Sequence, residues 1–396
     1  MDNEILKRAE KKLRELFGEQ IPVEILNRYE TEKRIIGDEE LLVWMDFLGD
    51  LSEQVAETDG FVTNTDPRFS ASFIAWLLGG NDISPLPAYY YCPNCRKVEF
   101  IPNVRCGYDA PDEVCSCGTA YEKNGFGIDP IQINPIVGGA QIRISSGTKG
   151  IVKDRFHNYF GKYGVVRQVR FSDDEECMTG SKEYYAVIPN DKAADYPEEV
   201  LATSWTEFSN KFHKVHLLSV ELEIDQILLH EWNLKNDSLA DIRGYIKYAV
   251  DKGFFRNEET DMSEVVRNLS DPSFSDLIDV YGIMTGSGTW KENGEILYAN
   301  GTALAELISN RDDVYEYLYD KIKDSKKAYE IKERLRKGIY SVKGMPDEVE
   351  VLLKESGVEN WYVESMKKIH YLTSKAHIVT CLKIDIAKYL AESTNF

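Results

Sequence analysis

The sequence predicts an α+β fold carrying a small metal-stapled insert, and three observations predict it. Apolar residues recur first at helical spacing, then alternate at strand spacing, then return to helical spacing through the last third of the chain. Two close cysteine pairs, Cys92-Pro93-Asn94-Cys95 and Cys115-Ser116-Cys117-Gly118, stand between the first helices and the strands. The order is therefore helices, ribbon, sheet, helices, which segregates the element types instead of alternating them. The expected divisions are 1–88 for the N-terminal helices and the start of the sheet domain, 89–125 for the ribbon, 126–230 for the sheet and 231–396 for a helical domain.

The first helix follows from Ile5, Leu6, Ala9, Leu13, Leu16 and Phe17, and stops at Gly18. A second starts at Asp38-Glu39-Glu40, whose charges suit a helix N-terminus, with Leu41, Leu42, Met45, Phe47 and Leu48 as its apolar face. A third, buried helix is expected over 69–78, ended by Gly79-Gly80. Residues 89–125 are too polar and too short to bury a core, so they need a metal, and four thiolates in tetrahedral array suit zinc. The ligands expected are Cys92, Cys95, Cys115 and Cys117. Strands are expected at 141–145, 165–171, 184–189 and 215–224. Helices are expected at 302–308, 314–322, 328–336, 347–356 and from Trp361 onward, with Gly338 and Gly357 as stops.

Composition narrows the function classes. With 396 residues, 43% of them hydrophobic, the chain can build one large or two ordinary cores. Its apolar runs are too short for a bilayer span, and its acidic start lacks the features of a signal peptide, so a soluble cytoplasmic protein is expected. Seven cysteines, five of them between Cys92 and Cys117, suit a metal site in a reducing compartment and not a disulfide framework. The net charge of -20 argues against a general nucleic-acid coat. Lys321, Lys323, Lys326, Lys327, Lys332, Arg334, Arg336, Lys337 and Lys343 gather positive charge, which on a helix reads as a solvated face. His213, His216 and His230, beside Glu231, match no compact ligand spacing.

Several motifs carry a family resemblance. Pro85-Leu86-Pro87-Ala88-Tyr89-Tyr90-Tyr91 leads into the first cysteine pair, and Lys123-Asn124-Gly125 follows the second. Further on come Phe274-Ser275-Asp276-Leu277-Ile278, Asn300-Gly301-Thr302, Arg311-Asp312-Asp313, Arg336-Lys337-Gly338, Trp361-Tyr362-Val363-Glu364-Ser365-Met366 and Lys375-Ala376-His377. In this order and spacing they resemble the PolC-type DNA polymerase III alpha subunit of Gram-positive bacteria, from about Ile21 onward. The resemblance implies a nucleotidyltransferase-type palm with an inserted zinc ribbon, followed by a helical fingers-like domain. The family's exonuclease, phosphatase-like and oligonucleotide-binding regions have no counterpart in it. Where the family has two residues between the second pair of cysteines this chain has Ser116 alone, so Cys106 is an alternative to Cys115.

The family's catalysis needs two divalent ions held by carboxylates on adjacent strands. At the matching place the chain reads Asp129-Pro130-Ile131-Gln132-Ile133-Asn134, so the two catalytic aspartates are replaced by Pro130 and Gln132; the third falls at Ser219. A slip of two residues would put Glu221 there, and Glu221, Glu223 and Asp225 alternate as one face of a strand. The triphosphate loop is replaced by Asn64-Thr65-Asp66-Pro67-Arg68-Phe69-Ser70, without glycines and with a repelling Asp66. Ser181-Lys182-Glu183-Tyr184 replaces a His-Pro-Gly-Gly motif, and the segment between Tyr159 and Met178 is too short for the family's thumb. The expectation is a catalytically inactive pseudo-polymerase, with structural zinc and no magnesium, that binds a replication-associated protein and/or DNA and derives from a mobile element or phage. Residual nucleic-acid contacts would come from Arg334, Arg336, Lys337, Lys367, Lys368, Lys375 and His377. The rival reading is a diverged polymerase-like nucleotidyltransferase using Asp129 with Glu221 or Glu223, and a third is a scaffold in which the motifs serve packing alone.

Overall fold

The computed structural model describes residues 3–37, 39–58, 60–133, 139–211, 216–223 and 242–394. Three helices, Glu4–Phe17, Val23–Ile36 and Glu39–Ala56, open the chain. The first is capped by the Asn3 side chain, which accepts from the Ile5 amide at 2.9 Å, and it buries Ala9, Leu13 and Phe17. Val23–Ile36 is not anticipated by apolar periodicity, because its buried stripe is Ile25, Tyr29, Glu32 and Ile36, with a carboxylate at one of the four positions. Glu32 has no solvent exposure. It accepts from Arg28 Nε, from the Ser72 hydroxyl at 2.8 Å, and from the Phe73 and Ile74 amides at 2.8 and 3.0 Å.

Those contacts explain why the single helix expected over 69–78 is two short ones, Pro67–Ser70 and Phe73–Leu77. Ser72 leaves helical geometry to cap the second, accepting from the Ala75 amide, and Glu32 takes the first two amides of the new turn.

The main sheet has six strands in the order β1 (Val62–Asn64), β5 (Gly139–Ser145), β9 (Leu217–Glu223), β7 (Lys182–Ile188), β6 (Val165–Phe171) and β8 (Glu199–Ala202). β5 and β9 run parallel, as do β6 and β8; the other neighbours are antiparallel. The four strands expected from alternation are β5, β6, β7 and β9. The edge strands β1 and β8 have three and four residues, too few to show a period. Ala140, Ile142, Ile144, Leu218 and Val220 form the buried face and join the large core, together with Phe156 and Phe160 of the helix Lys149–Phe160.

A second sheet, β3 (Val98–Phe100), β2 (Tyr89–Tyr91) and β4 (Glu122–Asn124), is the ribbon. Because β1 precedes it and pairs with β5 beyond it, the ribbon is an insertion within the main sheet. From Ile242 onward the described structure is helical, and helices 311–322, 325–336, 347–355 and 360–366 surround a second core of Leu318, Ile331, Leu335, Leu353, Tyr362 and Met366. The helix expected over 302–308 is only a single 3-10 turn, Leu304–Glu306. Among the described residues no helix is long and apolar enough to cross a membrane.

Candidate functional site

The ribbon brings four sulfurs together. Cys92, Cys95, Cys115 and Cys117 offer Sγ atoms that all lie within 4.8 Å of one another, with Cys92–Cys117 and Cys95–Cys115 each at 3.5 Å. A tetrahedral zinc ion with bonds of about 2.3 Å spaces its sulfurs by roughly 3.8 Å, so the set fits the ion. Two tight turns make it. Arg96, with φ 60, lets its amide reach the Cys92 carbonyl at 2.8 Å, and Gly118, with φ 86, does the same at the Cys115 carbonyl at 2.8 Å. The second turn shows why one intervening residue, Ser116, suffices. Contacts with the Thr119 hydroxyl and the Asn94 side-chain amide hold the Cys117 thiol below its ordinary range, which favours the thiolate a metal needs. Cys106 is packed in the large core, away from the four sulfurs, and burial pushes its thiol up. The ribbon's own apolar cluster is Tyr90, Cys92, Ala110, Cys115 and Tyr121, two of which belong to the four-sulfur set.

The loop between the knuckles reaches the helical half. Asp109 accepts from the Phe274 and Ser275 amides at 2.6 and 3.1 Å, at the start of the helix Phe274–Thr285. Arg105 forms a two-pronged pair with Asp279 of the same helix, at 2.6 and 2.8 Å, and contacts Asp313 at 3.2 Å.

On the main sheet, the face opposite the large core is apolar toward β6 and β8, where Val169, Phe171, Ala186 and Ile188 form a separate cluster, and polar across β1, β5 and the adjoining part of β9. Registration puts Thr63, Arg143, Glu221 and Lys182 in one row across β1, β5, β9 and β7, and Gln141, Ser219 and Tyr184 in the next. Arg143 Nε donates to Glu221 Oε2 at 2.7 Å, and Gln141 Nε2 approaches Glu221 Oε1 at 3.4 Å. Lys182 pairs with Asp174 at 3.4 Å and Glu176 at 3.7 Å. Burial opposes its charge, but Tyr184, Asp174 and Glu221 outweigh burial and hold its pKa above the ordinary lysine value. Glu221 thus sits between two cationic side chains. Among the described residues the four cysteines are the one group of three or more His, Cys, Asp or Glu side chains close enough to hold a cation. The side chain of Glu223, and Asn134, Asp225, His213, His230 and Glu231, lie outside the described residues.

Pro130 and Gln132 lie in a one-turn 3-10 helix, not on a strand. Asp129 caps it, accepting from the Ile131 amide at 2.8 Å, while Gln132 is buried and accepts from Lys332 Nζ at 3.0 Å. Ser219 is on β9, buried beside Gln141. Asp66 is paired with Arg68 and caps the helix Pro67–Ser70, so its charge is answered locally. The positions on β5 that face Ser219 and Glu221 of β9, Gln141 and Arg143, are missed by sequence reading; their signal is the alternation of 141–145 with Ile142 and Ile144 buried.

The basic residues of the helical half divide in two. Arg334 and Lys337 are exposed, Lys337 with Glu333 at 3.7 Å. Arg336 makes a forked pair with Glu333 at 2.6 and 2.8 Å, Lys367 bridges Glu350 and Glu364 at 2.8 and 2.9 Å, and Lys368 donates to the Glu292 carbonyl at 2.6 Å. Lys375 is buried and paired with Asp313 at 2.5 Å, and His377 contacts the Thr65 carbonyl at 3.0 Å. Lys375 is thus turned into the interior, away from the nucleic-acid-facing surface expected of it, while His377 stays partly exposed. Lys332, also counted in the basic run, is buried between Gln132, Glu333 and the Tyr329 ring, and burial draws its pKa down to about 8.

A zinc-fitting ribbon inserted in a six-stranded sheet and followed by a helical half is the arrangement that the resemblance implies, and sequence comparison agrees. The chain is 26% identical over 466 aligned positions to DNA polymerase III PolC-type of Bacillus cereus, covering 95% of this chain and 31% of that protein. The same named protein of Bacillus subtilis is 25% identical over 458 positions, and that of Streptococcus mutans 26% over 446, covering 92% of this chain. The chain is PolC-like. It spans about a third of the length of the curated relatives it matches. No protein-family model matches it.

Proposed function

We propose that the chain is a non-catalytic PolC-like protein, whose main sheet is a palm without a two-metal centre and which works by binding a component of the replication machinery. The observation that carries this reading is the row Arg143–Glu221–Lys182. Two-metal nucleotidyl transfer gathers carboxylates on neighbouring strands around divalent ions. Here the strands that flank the one acidic residue in the row contribute an arginine and a lysine. A row so charged would repel a divalent ion, and Glu221 is already paired with Arg143. The helical half then corresponds to the fingers.

The partner is a protein in preference to DNA. A charge of -20 repels a polyanion, and Arg336, Lys367 and Lys375 spend their charge on neighbouring carboxylates. DNA contact through Arg334 and Lys337 would be weak, sequence-independent and salt-sensitive. Primer extension on a matched primer–template with magnesium or manganese tests the catalytic half of the proposal, and no extension product is expected. Extension that disappears in Glu221→Ala would establish an enzyme. The binding half is tested by titrating purified replication proteins, one by one, against the natural chain and Arg334→Glu/Lys337→Glu. Protein capture should survive the double reversal and any DNA signal should not.

A further inference from the structure

Beyond the sheet face and the ribbon, one more arrangement of reactive side chains stands out, on the last helix, Lys375–Thr394. His377 and Cys381 are one turn apart, and His377 Nε2 lies 3.5 Å from Cys381 Sγ. The other ring nitrogen, Nδ1, lies 3.0 Å from the backbone carbonyl of Thr65. A carbonyl oxygen only accepts, so Nδ1 carries the hydrogen and the ring is held with Nε2 aimed at the sulfur. A thiol beside an imidazole that a third group orients is the arrangement that activates a sulfur nucleophile.

The surroundings reinforce the geometry. Burial works against charge on His377, but the Cys381 sulfur and the Thr65 carbonyl outweigh it and push its pKa up to about 9, the direction that favours passage of the cysteine proton to the ring. Arg143 of β5 adds positive charge within electrostatic range of the ring. Cys381 is partly exposed. The remaining cysteines differ in each respect. Cys177 and Cys106 are buried, and burial pushes their thiols up, while the other four form the ribbon cluster.

We propose that Cys381 is a thiol-modification site, activated by His377, that reacts with low-molecular-weight disulfides. The Cys381 sulfur attacks one sulfur of the disulfide, the new S–S bond forms as the old one breaks, and the departing half leaves as a thiolate. The proton lost from Cys381 passes to the imidazole or to water. No further oxidant is needed.

The test uses the full chain loaded with zinc, so that the ribbon thiols are engaged. Iodoacetamide labelling at pH 7 is followed by peptide mass spectrometry, for Cys381 and Cys177 in the native chain and again in urea. An ordinary half-buried thiol labels more slowly in the folded protein than in the unfolded one. Cys381 should do the opposite, labelling several-fold faster when native, and should take up glutathione from glutathione disulfide at that peptide. His377→Gln, which keeps a side chain able to donate, should remove the native acceleration, and Cys381→Ser should remove the label. Native labelling of Cys381 no faster than in urea, or an unchanged rate in a folded His377→Gln chain, would overturn the proposal, and the first of these needs no variant.

Discussion

Replacing Arg143 by aspartate should create a divalent-cation site that the natural chain does not have. Arg143 Nε is 2.7 Å from Glu221 Oε2, and the two side chains are 25% and 20% exposed. A manganese ion held by Glu221 would stand roughly 5 Å from the guanidinium, and two charges on one at that distance repel by roughly 7 kcal/mol at an effective dielectric of about 20. Solvent at this partly open face reduces that; even half of it, about 3 kcal/mol, weakens binding by more than about a hundredfold. The aspartate removes the repulsion and adds a ligand, since cross-strand neighbours have Cβ atoms about 5 Å apart. Manganese titration followed by electron paramagnetic resonance, on zinc-loaded protein, reads this directly. The natural chain should leave manganese free up to about 1 mM, in line with the repulsion above. Arg143→Asp should bind one ion at least about tenfold more tightly, and Arg143→Asp/Glu221→Ala should lose it. Stoichiometric manganese uptake by the natural chain at tens of micromolar, abolished by Glu221→Ala, would refute the reasoning, because it would mean that the cationic row does not exclude a metal.

Elemental analysis should find about one equivalent of zinc, and Cys92→Ser should lose it together with amide protection in β2 and β4; retained protection would show that the ribbon holds without metal. Glu32→Ala leaves the Arg28 charge without its carboxylate and two amides unpaired in a buried place, and urea unfolding should show a loss of about 3–5 kcal/mol; a loss below about 1 kcal/mol would contradict the buried network. Lys332→Met should stabilise the chain by about 1–3 kcal/mol at pH 7, since it removes a buried charge. The folded pKa of Lys332 is about 8, below the ordinary lysine value of 10.5, so between those pH values the unfolded state binds more protons and the natural chain gains stability as pH rises. The advantage of Lys332→Met should therefore be full below pH 8 and gone by about pH 10.5, as read from paired urea melts.

Much of the fold is written in periodicity. The helices at 4–17 and 39–56, the four longer strands and most of the helical half follow from apolar spacing and glycine stops. The helix Val23–Ile36 is hidden because the stripe it buries includes Glu32, whose acceptability depends on Arg28 and on amides about forty residues away. The break at Ser72 is hidden for the same reason. For the ribbon, ligand identity is legible, and the choice between Cys115 and Cys106 needs the turn at Gly118 and the core around Cys106. The sheet face was the hardest to read. Its opposing charges belong to strands 78 residues apart in sequence for Arg143 and Glu221, and only the pairing of β5 with β9 puts them side by side. Lys375 reads as a surface base by type, yet Asp313 draws it inward.

The ribbon begins and ends at the main sheet, yet Arg105 and Asp109 in its middle grip the helix Phe274–Thr285. Tyr108, between those two residues, packs edge-on against Phe126 and Phe274, so the middle of the ribbon is pinned to the core that the helix Phe274–Thr285 shares with the main sheet. A metal at the four cysteines would fix the far end of an element whose middle is already held by the helical half.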